Sequence, residues 1–144
     1  MNIPSEIRAG DTVKWRDNSS NDVFGNEIKS DEWTLKYYLR TNERGSGHTT
    51  TGTAYSTGWE FTISATDSAD FDAGSWYWQA IATKSSEKIT LGYGTLTVEA
   101  ALEYSGTPGL FDGRSQAKKD LEAVQAAIRT LIAGGAVQEY KIGN

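Results

Sequence analysis

Apolar and polar residues alternate in short runs from Ile3 to Glu99, and Gly, Asp, Asn and Ser separate the runs. This period-2 pattern is that of half-buried strands, and it predicts no helix in this stretch. The clearest run is Trp33 to Arg40, which puts Trp33, Leu35, Tyr37 and Leu39 on one face and Thr34, Lys36 and Arg40 on the other, with Tyr38 breaking the outward polarity. A second, Gly58 to Ser64, aligns Trp59, Phe61 and Ile63, and a third, Trp76 to Ala82, aligns Trp76, Trp78, Ala80 and Ala82. Three tryptophan-bearing strands are therefore expected to share one core. Weaker runs at Asp11–Trp15, Thr49–Tyr55, Lys88–Leu91 and Gly94–Val98 bring the total to about seven strands, the spacing of an antiparallel sandwich.

The pattern changes once, near residue 100. Ser105-Gly106-Thr107-Pro108-Gly109 continues neither regular structure. Beyond it, Ser115 to Ile132 holds good helix formers, with Ala117, Leu121, Val124, Ile128 and Leu131 spaced four, three, four, three, so one narrow apolar seam runs down a helix. Asp112 or Ser115 suits its start and Gly134-Gly135 its end. Val137, Tyr140 and Ile142 then alternate imperfectly, and 136–144 reads as one strand. The expected organisation is a mainly β sandwich at 1–99, a linker at 100–113, and a helix plus short strand at 114–144. A helix and a lone strand have no opposing layer, so the seam must dock, either on its own sandwich or on another chain.

Composition narrows the function classes. The 144 residues include sixteen aromatics, enough apolar surface to bury a core, and no cysteine, which excludes disulfides and thiolate metal sites. The net charge is −5, the wrong sign for a partner with a phosphate backbone or an anionic membrane surface. Residues 1–99 carry nine basic and fourteen acidic side chains and residues 100–144 five of each, so the acidity belongs to the sandwich. Met1 to Asp11 do not read as a secretory leader, and no apolar run approaches the ~20 residues of a membrane span, so a soluble chain is expected.

Reactive constellations are scarce. The single histidine, His48, sits in the polar stretch Gly45 to Thr51, with no motif indicating a nucleophile or an orienting acid, and is expected to be exposed to solvent. Asp67, Asp70 and Asp72 form a local carboxylate cluster, but their spacing does not match a calcium loop and suits the capping of backbone amides in a turn. The glycines at 92–94 and 109–113 lack the context of a phosphate loop. The inward parity of the tryptophans assigns them to the core, whereas Tyr38, Tyr77 and Tyr93 are candidate outward aromatics. The expectation is a non-enzymatic protein without a cofactor or metal.

Two segments carry family resemblances. Ser64 to Gly74 resembles the crossover turn between strands E and F of immunoglobulin-like domains, and the paired cysteines of antibodies are absent. Asp112-Gly113-Arg114-Ser115, the helix that follows and Ala133 to Asn144 resemble the first half of a gpW-type head-to-tail joining protein of tailed bacteriophages, supplying its helix, turn and first strand. The stretches Ile3 to Trp15 and Trp33 to Tyr37 are similar to phage structural proteins that join an immunoglobulin-like module to that element.

The resemblance implies a virion component, assembled in the host cytoplasm, that forms a ring of copies at the portal vertex. Its partners would be the portal protein, neighbouring copies and the next neck or tail component. Ala117, Leu121, Val124, Ile128 and Leu131 would dock, with Arg114, Lys118 and Arg129 as polar contacts at the rim. A capsid decoration protein and, from a different class, a carbohydrate-binding or adhesin module on a phage fibre are the competing readings.

Overall fold

A computed structural model describes residues 1–111 and the helix at 116–142, with side chains placed over 118–133 of that helix. The chain divides into two units, Met1–Glu103 and Tyr104–Asn144. The first holds β1 (Glu6–Arg8), β2 (Val13–Asp17), β3 (Ser20–Asn21), β4 (Glu27–Ile28), β5 (Thr34–Arg40), β6 (Gly47–Thr51), β7 (Thr53–Tyr55), β8 (Gly58–Ile63), α1 (Ala65–Ser68), β9 (Gly74–Lys84) and β10 (Glu87–Glu99). A larger sheet has the order β1-β10-β9-β5-β6, a smaller one β2-β8-β7, and β3 pairs with β4 as a ribbon. The fold is thus a β-sandwich with one C-terminal helix, and its strand order is that of an immunoglobulin-like domain. All pairs are antiparallel except β1, which runs parallel to β10 with Ile7 opposite Val98.

The alternation read from sequence is the alternation of burial. Leu35, Tyr37 and Leu39 of β5, Trp59, Phe61 and Ile63 of β8, and Trp76, Ala80 and Ala82 of β9 are all buried. Between the sheets Trp15 stacks on Phe61 at 5.1 Å, and Tyr37 meets Phe61 and Trp15 edge-on at 4.8 and 5.2 Å. Such pairs add about 1 kcal/mol each to the transfer of their surface from water. The indole N–H groups of Trp59 and Trp76 donate to the carbonyls of Trp33 and Asp72.

The expected single strand Thr49–Tyr55 is instead two strands in different sheets, β6 and β7. Gly52 is the crossing point. Its N–H bonds the carbonyl of Leu35 in the larger sheet, and a Cβ there would lie 2.8 Å from the Phe61 ring and 2.9 Å from the Trp59 Cβ. Lys88–Leu91 and Gly94–Val98, expected as two strands, are one, β10, broken in register between Thr90 and Gly92. Contrary to expectation a helical turn, α1, stands in the crossover from β8 to β9. Its amides are capped by Ser64, which accepts from Asp67 N–H at 3.1 Å, so the cap comes from a serine and not from the aspartates. The fully buried Ser68 hydroxyl donates to the carbonyl of Asp11 and accepts from the N–H of Gly10, tying α1 to the loop between β1 and β2.

In the second unit α2 runs Gln116–Ile142. The expected helix end at Gly134-Gly135 and strand at 136–144 are therefore corrected, because 136–142 is helical. A glycine pair permits a stop without compelling one. Each costs about 1 kcal/mol in a helix interior, and the flanking Ala133, Ala136, Gln138, Glu139 and Lys141 favour continuation. The proposed caps Asp112 and Ser115 lie outside the described residues.

Across the sandwich, the buried carboxylate of Asp17 at the end of β2 accepts from the hydroxyl of Tyr37 and, at 2.6 Å, from the backbone N–H of Asn2. The Met1 sulfur lies 3.0 Å from the same hydroxyl. Burial, reinforced by the neighbouring Asp17 carboxylate, pushes the Tyr37 hydroxyl far above its ordinary value of 10.0. The fold therefore favours the neutral phenol. Its contribution is complete below the unfolded value and is lost as pH rises above it. Tyr37→Phe should cost about 2 kcal/mol near neutrality by leaving Asp17 short of a partner. In an alkaline titration, one tyrosinate absorbance step should coincide with unfolding in the parent and be missing from the variant.

Gly58 opens β8 against the backbone of β2, and a Cβ there would lie 2.1 Å from the carbonyl oxygen of Asp17. Backbone in a paired strand cannot yield as a flexible side chain does. Gly58→Ala should lower stability by about 3 kcal/mol, read as a lower urea midpoint at unchanged slope.

Candidate functional site

Leu121, Val124, Ile128 and Leu131 lie on α2 within an arc of about 80° at 100° per residue, and Ile132 extends it. They are exposed, from 49% for Ile128 to 74% for Leu131. Lys118 and Arg129 are exposed too, to one side of the seam. Ala117 falls on the same arc by position, its side chain outside the described residues, and Arg114 lies outside them altogether. The expected one-sided seam is thus present as a helical stripe.

His48, expected to face solvent from a loop, lies partly buried on β6 with its ring 5.3 Å from that of Phe71. Ser46 and Asp72 are close by, and the Ser46 hydroxyl donates directly to the Asp72 carboxylate at 3.1 Å. In a nucleophilic triad the imidazole stands between hydroxyl and carboxylate. Here, among the described residues, no hydrogen bond joins His48 to either. Asp67, Asp70 and Asp72 line a small open pocket of about 460 Å³ with Arg44 and His48. Among the described residues no group of three His, Asp or Glu side chains is placed to hold a metal ion.

The outer face of the larger sheet presents a different surface. Register places Thr49 of β6, Tyr38 of β5, Gln79 of β9 and Tyr93 of β10 in one row across four strands. Arg40 and Tyr77 stand side by side in the next row. Tyr38, Tyr77 and Tyr93 are exposed, Tyr93 by 81%. Tyr93 reaches this face because of the bulge at Leu91, since an unbroken register would set it opposite Trp78, whose position lies on the inner face of β9. The face forms an open depression of about 1350 Å³. Lys36 lies over the Tyr38 ring at 5.1 Å, and the Gln79 amide donates to Thr90 Oγ1 at 2.8 Å.

A third exposed feature, which sequence reasoning missed, is the tip between β3 and β4. Val23 and Phe24 are 94% and 88% exposed. Beneath them the Asp22 carboxylate accepts from the N–H groups of Phe24 and Asn26 at 2.9 Å and from the Asn26 amide at 3.2 Å. Those bonds, the backbone bond to Asn26 foremost, hold Asp22 below its ordinary 3.8. The signal lay in Asp22-Val23-Phe24-Gly25-Asn26, an apolar pair inside a turn-forming frame.

Among the described residues no helix is long and apolar enough to cross a membrane. No protein-family model matches this chain, and comparison with curated proteins finds no match to it.

Proposed function

We propose that this protein is a non-enzymatic structural component of a tailed-phage virion, a head-to-tail connector or neck adaptor that assembles as a ring at the portal vertex. The observation that carries this reading is the exposed stripe of Leu121, Val124, Ile128 and Leu131 on a 27-residue helix. An isolated helix is marginal in water, and most of its stability comes from burying an apolar face. A contact that repeats head to tail around an axis buries such a face once per copy and closes on itself. The resemblance of the helix that follows Ser115 to that of gpW-type joining proteins, whose turn and strand are replaced here by continued helix, supports the location, and the partners would be the portal protein, neighbouring copies and the next neck or tail component. Arg129 and Lys118, flanking the stripe, suit the polar rim of such an interface.

Leu121→Asp tests it. A carboxylate forced into the interface without a partner costs several kcal/mol, whereas on an exposed helix it costs little. Incorporation of the variant into particles should fall at least about tenfold, measured by quantitative gel of purified virions, while the sandwich unfolds at the parent midpoint. Undiminished incorporation would sink the reading. Copy number separates connector from capsid decoration, since a ring at one vertex has a fixed small stoichiometry and decoration scales with the capsomers.

A further inference from the structure

We infer that the outer face of the larger sheet binds an acidic oligosaccharide, a function independent of the connector reading. Three observations converge on that chemistry. The first is the aromatic layout. Tyr38 and Tyr93 lie two strands apart in one row, a separation of roughly 10 Å at ordinary strand spacing, with the Gln79 amide between them and Tyr77 beside Arg40. The C–H face of a pyranose is apolar and faintly electropositive, which suits the electron-rich face of a phenol ring, and the tyrosine hydroxyls remain to bond sugar hydroxyls. Polar groups between flat aromatic platforms give orientation without requiring an enclosed cavity.

The second observation is charge. The chain carries −5 overall, yet the residues lining the depression include two cations, Arg40 and Lys88, against one carboxylate, Glu87. Within the described residues 1–111 the ion pairs are Arg16 with Glu60, Lys29 with Asp31 and Lys84 with Glu32, so neither Arg40 nor Lys88 is matched within the sandwich. An unpaired guanidinium beside an exposed tyrosine presents a fork to a planar carboxylate while the ring takes the sugar.

The third is the bulge. Placing one extra residue at Leu91 is what brings Tyr93 into the row with Gln79 and Tyr38, so the surface is built by a local departure from regular pairing. A nucleic acid is the other polyanion that stacks on aromatics, and the acidic field of the rest of the sandwich opposes its dense phosphate charge more than the sparser carboxylates of a glycan.

Calorimetric titration of the full chain tests the inference. The probes are a uronic-acid tetramer, a sialic-acid tetramer and a sulfated disaccharide tetramer, with maltotetraose as neutral control and a thymidine oligonucleotide as the phosphate control. At least one acidic probe should bind at millimolar concentration or tighter, more weakly as salt rises, and at least about tenfold more tightly than maltotetraose. Tyr38→Ala and Arg40→Gln should each weaken that binding by about tenfold, with the urea unfolding midpoint nearly unchanged because both side chains are exposed. Absence of binding to all three acidic probes, equal binding of maltotetraose, tighter binding of the oligonucleotide, or undiminished binding by both variants would each overturn it.

Discussion

A phenol withdrawn from water still needs a partner for its hydroxyl, and in this sandwich that requirement fixes how the two sheets meet. Tyr37 belongs to the larger sheet and Asp17 to the smaller, so the bond between them spans the core. Trp15 and Phe61, both from the smaller sheet and stacked on each other, meet the Tyr37 ring edge-on. Because side chains alternate faces along a strand, a slip of one residue in β2 would turn Asp17 outward and bring Arg16 inward. In the native register Arg16 instead pairs with Glu60 at the surface, 3.0 Å away, and its guanidinium lies 3.8 Å over the Tyr55 ring. Core and surface thus enforce the same pairing. The Asn2 N–H completes the carboxylate's partners, which draws the chain start into the same knot.

A core settled on one side of the larger sheet leaves its other side free to be chosen for something else. Along β9 the inward positions Ala80 and Ala82 are small and wholly buried, while the outward positions Tyr77, Gln79 and Ile81 are large or polar. Stability needs the first set and is nearly indifferent to the second. Exposed aromatics on strands contribute at most about 1 kcal/mol each through cross-strand neighbours, so the core does not require the three tyrosines, and on the proposed reading their face serves binding.

The sandwich was legible in the sequence wherever burial imposes a period. Trp33 to Leu39, Trp59 to Ile63 and Trp76 to Ala82 read correctly because each has a dry face and a wet one. The sheet switch at Gly52 was not, because the alternation continues through it and only the rings of Phe61 and Trp59, distant in sequence, demand a glycine there. Nor was β1, three residues whose pairing with β10 is parallel and wholly non-local. The ribbon of β3 and β4 is two residues per strand, too short for any period to show. Of the candidate surfaces, the parity of Tyr38 and Tyr77 was readable. Their assembly with Tyr93 depends on a bulge whose position follows from pairing across strands. On α2 the positions of Leu121, Val124, Ile128 and Leu131 on one arc were legible, while the length of the helix was not, because glycine marks a possible helix end and local propensity decides whether it is used.

The charge partition bears on how copies of this chain would associate. The sandwich holds the whole net charge of −5, so sandwiches brought close together repel one another, and the more strongly the lower the ionic strength. Residues 100–144 carry five charges of each sign and none net. On the proposed reading the attraction that closes a ring must come from this neutral part, where an apolar stripe can be buried without concentrating like charge. The β-sandwich opposes closer packing than that contact requires. On that reading a C-terminal part without net charge, bearing an apolar helical stripe, and an acidic sandwich are complementary: the stripe would supply a short-range attraction, and the sandwich a longer-range repulsion that disfavours aggregation before assembly.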